Sequence, residues 1–190
     1  MTETSNLASV AAMAPYTPAI ATWSRSDRHT MALGRALGAL WATRPSPWWV
    51  FVSLTGPLGA GKTHVAKGIV EGLGGDPTEV TSPTFALLNV YRAAHAEVHH
   101  ADCYRLTDDF DARDVGLEAS LIPPTSVGAR RVTLVEWAAR LPGLIPVEGG
   151  RLAPYVRDLR LLHAGLEVRR VLGVGFSADE RAAIRSVRTE

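Results

Sequence analysis

Gly56-Pro57-Leu58-Gly59-Ala60-Gly61-Lys62-Thr63 carries the pattern G-x-x-x-x-G-K-[ST]. Residues 48–54 before it are apolar at nearly every position, as a strand buried on both faces would be. Residues 62–73 after it read as a helix, ended by Gly74-Gly75-Asp76-Pro77. A glycine-rich turn between a buried strand and a helix has a physical use. Its backbone N–H groups can wrap a chain of phosphates, and the helix N-terminus adds a favourable partial charge. Gly56, Pro57, Leu58, Gly59, Ala60, Gly61, Lys62, Thr63 and the following His64 are therefore the expected nucleotide contacts. Lys62 is expected to reach the β- and γ-phosphates and the Thr63 hydroxyl to ligate Mg²⁺.

Composition sharpens the reading of Lys62. Only Lys62 and Lys67 are lysine among the 20 basic residues, which leaves 18 arginines. A chain that uses arginine almost wherever a cation is wanted keeps lysine at a site that a planar guanidinium does not fill. Net charge is +1 with a pI near 8.0, so the electrostatic footprint of a dedicated nucleic-acid binder is missing, and DNA is not an expected partner. The pairs Arg130-Arg131 and Arg169-Arg170 read as solvated surface. Cys103 is the single cysteine and no Cys/His spacing suggests zinc, which agrees with a reducing cytoplasm. No apolar run approaches a membrane span, and the first residues lack the pattern of a signal peptide.

Working outward, residues 24–42 have mostly helical apolar spacing, with Ser24 and Asp27 resembling a capping box. Strands are expected at 86–91, 98–103, 132–136, 155–163 and 166–172, the last two joined by a turn at Ala164-Gly165. A helix broken near Gly116 is expected over 107–122, and a final helix follows the capping box of Ser177 and Glu180. The expected organisation is a flexible leader over 1–20, one domain over 21–176, and a C-terminal helix and tail over 177–190. The fold class is α/β, a P-loop NTPase-like three-layer fold with a mixed, largely parallel sheet.

A phosphate-loop enzyme needs a carboxylate near its metal, at the C-terminal end of a neighbouring strand. Asp102 and Glu136 each end a strand-like run. Glu136 has the cleaner apolar approach and is assigned to the metal shell; Asp102 is assigned to metal or water positioning, and the two roles are interchangeable at this point. Lys62, Asp102 and Glu136 form the expected catalytic set, and Thr63, Glu136 and Asp102 the expected metal set.

Ser82-Pro83-Thr84-Phe85, His100-x-Asp102-x-Tyr104-Arg105-Leu106 and Glu136-Trp137 follow the loop in that order. Together with the loop they resemble the TsaE (YjeE) family of bacterial ATPases required for threonylcarbamoyladenosine (t6A) modification of tRNA. The likeness runs from about residue 23 to 175. It implies ATP and Mg²⁺ as cofactors, no separate lid domain, and hydrolysis coupled to a TsaB–TsaD-type complex, with tRNA engaged only indirectly. It further implies a γ-phosphate-sensing position for Thr84, a place beside the nucleotide for Trp137 (a plain core tryptophan being the other reading), and a weak adenine contact around Trp23-Ser24. Thr30 and Gly34 match the family's pattern. Pro57 departs from it, standing where the family commonly has Asp.

His99 and His100 point to opposite faces of one strand, so they cannot chelate one ion together. His100 is expected to bond within the site wall. Two alternatives stay open. A small-molecule kinase would use Arg105 or Arg113 over the phosphates, although no insertion is long enough for a lid. A nucleotide-gated binding module would turn over only incidentally. A GTPase is disfavoured because its N-K-x-D motif needs a lysine in the second half of the chain.

Overall fold

A computed structural model describes residues 18–106, 117–138, 147–148, 151–152 and 154–188. The elements are β1 (Ile20–Ser24), α1 (Asp27–Ala42), β2 (Trp48–Thr55), α2 (Lys62–Gly72), β3 (Leu88–Arg92), β4 (Glu97–Asp102), α3 (Glu118–Leu121), β5 (Arg130–Glu136), β6 (Val147–Glu148), β7 (Arg151–Leu152), β8 (Val156–His163), β9 (Arg169–Val174) and α4 (Ala178–Ser186). Seven strands form one sheet in the order β1-β9-β8-β2-β5-β4-β3, while β6 and β7 pair separately. β2 runs parallel to β5 and β8, and β5 parallel to β4; β3, β9 and β1 join by antiparallel pairing. The sheet is mixed around a parallel centre, as the apolar run over 48–54 implied.

The strand pleat divides the core in two. Val50, Val52 and Leu54 of β2 face α1 and α2, with Leu33, Leu37, Val65 and Ile69 packed against them. Phe51 faces the other side, with Ala101, Val135 and Val156 and with Leu117 and Leu121 of the α3 segment. Helices α1 and α2 approach closely because glycines line their contact. A Cβ on Gly34 would lie 2.3 Å from the Val65 carbonyl oxygen, and one on Gly68 1.9 Å from that of Met31. No side chain fits there, so the two backbones touch.

Several local readings change. Ser26, not Ser24, caps α1, its hydroxyl accepting from the His29 N–H at 3.0 Å. Ser24 is the last residue of β1, and its hydroxyl is turned to Thr30 Oγ1 at 2.7 Å. β1 itself lies where the sequence suggested leader and helix start; Ile20, assigned to the leader, is buried against the core. The last sheet strand begins at Arg169 rather than 166, because residues 164–167 form the turn. The leader up to residue 17 and the proposed helix over 107–116 lie outside the described residues.

The C-terminal helix is tied into the body. Glu180 has the capping box expected with Ser177, and its carboxylate is fully buried. Its Oε1 accepts from Trp41 Nε1 and from Arg44, both at 2.8 Å, and its Oε2 from Arg157 Nε at 2.7 Å. Burial pushes this carboxyl up, but Arg157, the Ser177 N–H and Trp41 outweigh it and hold it below its usual value. Among the described residues, no helix is long and apolar enough to cross a membrane.

Candidate functional site

β2 ends at Thr55, and the loop turns over its end into α2. Gly56, Gly59 and Gly61 all have positive φ, at 143°, 75° and 97°. Gly56 is required for a second reason: a Cβ there would meet the Leu161 carbonyl oxygen of β8 at 2.2 Å. Gly61 caps α2 with no side-chain hydrogen bond to its first turn. Ala60 is buried under the loop and Leu58 stands out at its tip, where His163 Nε2 lies 3.2 Å from the Leu58 carbonyl oxygen.

Lys62 curls back into this loop. Its ammonium donates to the carbonyls of Gly56 and Pro57 at 3.0 and 3.1 Å, and it sits 4.1 Å from the centre of the Trp137 ring. The side chain is only 4% exposed. Burial pulls its pKa down, while the carboxylates of Glu136 and Asp102 pull it up less strongly. A compact ammonium thus lies between two carbonyls and an aromatic face.

The two acids stand side by side. Asp102 and Glu136 are register partners at the ends of the parallel strands β4 and β5. Glu136 Oε1 accepts from the Thr63 hydroxyl at 2.9 Å and lies 3.0 Å from His100 Nε2. An ionised Glu136 accepts, so His100 carries its proton on Nε2. Burial raises the Glu136 pKa, but His100, Thr63 and Lys62 outweigh it and the net shift is downward. Asp102 Oδ2 accepts from the Thr84 hydroxyl at 2.6 Å, and its Oδ1 from the Tyr104 N–H at 2.8 Å. The structure thus joins Lys62, Thr63, Thr84, Asp102, Glu136 and Trp137 into one site. Trp137 is partly buried, packs on Tyr104 at 5.1 Å between ring centres, and has a left-handed backbone at φ 58°. A bulky residue held there signals a constrained position.

The oxygen set offered by Thr63, Glu136 and Asp102 is hard and short in protein ligands. Among the described residues, no group of three or more His, Cys, Asp and Glu side chains gathers to hold an ion. A cation here would draw on phosphate oxygens and water, the habit of Mg²⁺ rather than of zinc.

Other expected residues fall elsewhere. His64 turns away from the acids, its Nδ1 3.6 Å from Asp27 Oδ1. His99 bonds Ser120 at 2.9 Å on the opposite face from His100. Cys103 is buried and its thiol is pushed up to about 12, first by burial and then by Asp102, so it is a core residue without nucleophilic character. Arg105 lies 5.9 Å from the Phe85 ring, and Arg113 is outside the described residues.

Arg169 corrects the surface reading: it is 5% exposed and donates to Asp27 Oδ1. Arg131 is half-buried and donates to the Ala119 carbonyl at 3.2 Å. The signal for Arg169 was available, because neighbours on a strand face opposite sides and one of two adjacent arginines had to turn inward. Asp27 and His163 carried no comparable signal; the long-range pairing of β8, β9 and α1 brings them to the loop.

A family model described as threonylcarbamoyl adenosine biosynthesis protein TsaE matches residues 24–164. The tRNA threonylcarbamoyladenosine biosynthesis protein TsaE of Rickettsia bellii (strain RML369-C) is 36% identical over 95 residues, 50% of this chain and 61% of that protein. That of Treponema pallidum (strain Nichols) is 36% identical over 123 residues, 65% of this chain and 82% of that protein. The matched stretch thus spans about three fifths of the Rickettsia bellii relative, and 50% of the one from Rickettsia conorii (strain ATCC VR-613 / Malish 7). Among solved structures, Bacillus subtilus YdiB superposes with a TM-score of 0.57 at 22% identity, covering 91% of this chain and 97% of that one. That likeness supports the P-loop NTPase-like fold.

Proposed function

The chain belongs to the TsaE family of threonylcarbamoyl adenosine biosynthesis proteins, and on that premise we propose that it is a Mg²⁺-dependent ATPase. In this reading it supports the threonylcarbamoyl-transfer step of t6A37 tRNA modification through a TsaB–TsaD-type partner complex. The protein works in the cytoplasm, and tRNA is engaged only through the partner.

The observation that carries the proposal is the bond from Thr63 to Glu136 beside the buried Lys62 ammonium. The amides of Gly59 and Gly61 and of the start of α2 donate to the phosphates, while the Ala60 N–H closes the loop onto the Pro57 carbonyl. Lys62 leaves the carbonyls of Gly56 and Pro57 for the β- and γ-phosphate oxygens, with Trp137 covering it. Thr63 and Glu136 hold Mg²⁺, directly or through water, and Asp102 is the second acid of that shell. Mg²⁺ held by these residues would neutralise charge developing on the phosphate oxygens. Asp102 orients the attacking water, and Thr84, bonded to it, reports whether a terminal phosphate is in place.

The test is the ATPase rate of the chain alone and with a TsaB–TsaD-type complex added. Strong stimulation is the expected result. ATP-dependent association with a rate unchanged by the complex would favour a gated binding module instead, and a complex that neither associates nor stimulates would refute the coupling.

A further inference from the structure

The phosphate loop is anchored at its tip by a side chain from β8. β2 and β8 pair in parallel up to Thr55 and Arg160, and each chain then runs on, to Leu58 and to His163. There His163 Nε2 lies 3.2 Å from the Leu58 carbonyl oxygen. A carbonyl only accepts, so Nε2 carries the proton and donates. The backbone of His163 is fixed in turn, because it is the register partner of Arg169 in β9. The bond falls on one particular peptide group. The Ala60 N–H donates to the Pro57 carbonyl at 3.2 Å, closing a turn with Leu58 and Gly59 at its centre. Gly59 has φ 75° while Leu58 is not among the residues of positive φ, which makes the turn type II. Types I and II differ chiefly in the way the central peptide faces, and glycine tolerates either.

The carbonyl and the N–H of a trans peptide point in opposite directions. With the Leu58 carbonyl drawn to His163, the Gly59 N–H faces away from that ring. We propose that His163 is a positioning residue for phosphate binding: its bond to Leu58 keeps the Gly59 N–H turned into the loop, as a donor to the phosphate chain. This inference rests on the nucleotide reading above. His163 touches no phosphate in it and acts only through the peptide. Were that peptide to flip, the Leu58 carbonyl would face the phosphates, and an attraction would become a repulsion. The side chain of His163 is exposed, so water replaces its bond when it is removed and the fold is not at stake.

Calorimetry on the full chain with Mg²⁺ tests it, using ATP and inorganic tripolyphosphate. His163→Phe keeps a ring and loses the donor; it should weaken both ligands about three- to tenfold while melting with the wild type. His163→Gln returns an N–H donor at a similar reach and should recover most of that loss. A second route to the same peptide is Gly59→Ala, where an added Cβ would meet nothing nearer than His163 Nε2 at 4.0 Å and the strain lies in φ alone. Adding His163→Phe to that variant should cost less than about twofold more, since one orientation is lost only once. Should Gly59→Ala bind nothing, the Phe and Gln variants decide alone. His163→Phe binding both ligands as the wild type does, or a Gln variant as weak as Phe, overturns the inference and spares the nucleotide reading. So does a loss confined to ATP, which would place His163 at the nucleoside end. A wild type that binds neither ligand refutes both.

Discussion

The Thr63 hydroxyl donates to Glu136 Oε1 across 2.9 Å, joining the first turn of α2 to the end of β5. The bond, with His100 and Lys62, holds the buried Glu136 carboxyl below its usual value although burial acts the other way. A carboxyl depressed in the folded state contributes stability above its unfolded pKa, and that contribution is lost as pH falls through the folded value. The melting temperature of the wild type should therefore fall more steeply below about pH 4.5 than that of Glu136→Gln. Parallel melting curves for the two proteins would remove Glu136 as a stabilising anion.

Lys62 sits between two carbonyl oxygens and the Trp137 ring, in space shaped for an ammonium. Lys62→Ala should abolish ATP hydrolysis, because charge on the γ-phosphate loses its fixed counter-charge. Lys62→Arg should fail as well, since a planar fork cannot occupy the same place. Steady-state phosphate release measures both variants. Near-normal turnover by Lys62→Arg would show that charge alone suffices.

Asp102 is held from both sides, by Thr84 on one oxygen and the Tyr104 amide on the other. Its removal should leave Mg·ATP binding within severalfold and slow hydrolysis by about 10²-fold or more. Single-turnover kinetics beside equilibrium binding separate the two effects. A normal hydrolysis rate in Asp102→Ala would end its assignment to water positioning.

What the sequence made legible was local. The loop, the strand before it and the helix after it are contiguous, and each carries its own signal in glycine placement and apolar period. Asp102 and Glu136 were found because each ends an apolar run, and their side-by-side register follows from the parallel pairing of β4 and β5. β1 was missed because five residues of an edge strand, two of them exposed, look like loop. The Gly34 and Gly68 contact was hidden because a helical glycine reads as a weakness until the facing helix is known. Arg169 was misjudged by charge alone: strand alternation turns one of two adjacent arginines inward, and only the identity of its partner Asp27, 142 residues away, was out of reach.

Glu180 shows that the C-terminal helix belongs to the folded body. Four donors converge on a fully buried carboxylate, from Trp41, Arg44, Arg157 and the Ser177 amide. Glu180→Ala leaves the buried Arg157 guanidinium without its anion and should cost roughly 3–5 kcal/mol, as breaking one side of a buried pair does. Urea unfolding reads this directly. A loss below about 1 kcal/mol, the worth of an exposed pair, would mean that the clamp contributes little.

The central claim is that the loop from Gly56 to Thr63 grips a nucleoside triphosphate through Lys62 and the surrounding amides. Titration calorimetry of the folded chain with Mg·ATP addresses it most directly. Saturable binding at one site, lost in a Lys62→Ala variant whose circular dichroism and melting remain those of a folded protein, is the expected result. A folded wild type that takes up no Mg·ATP would contradict the account.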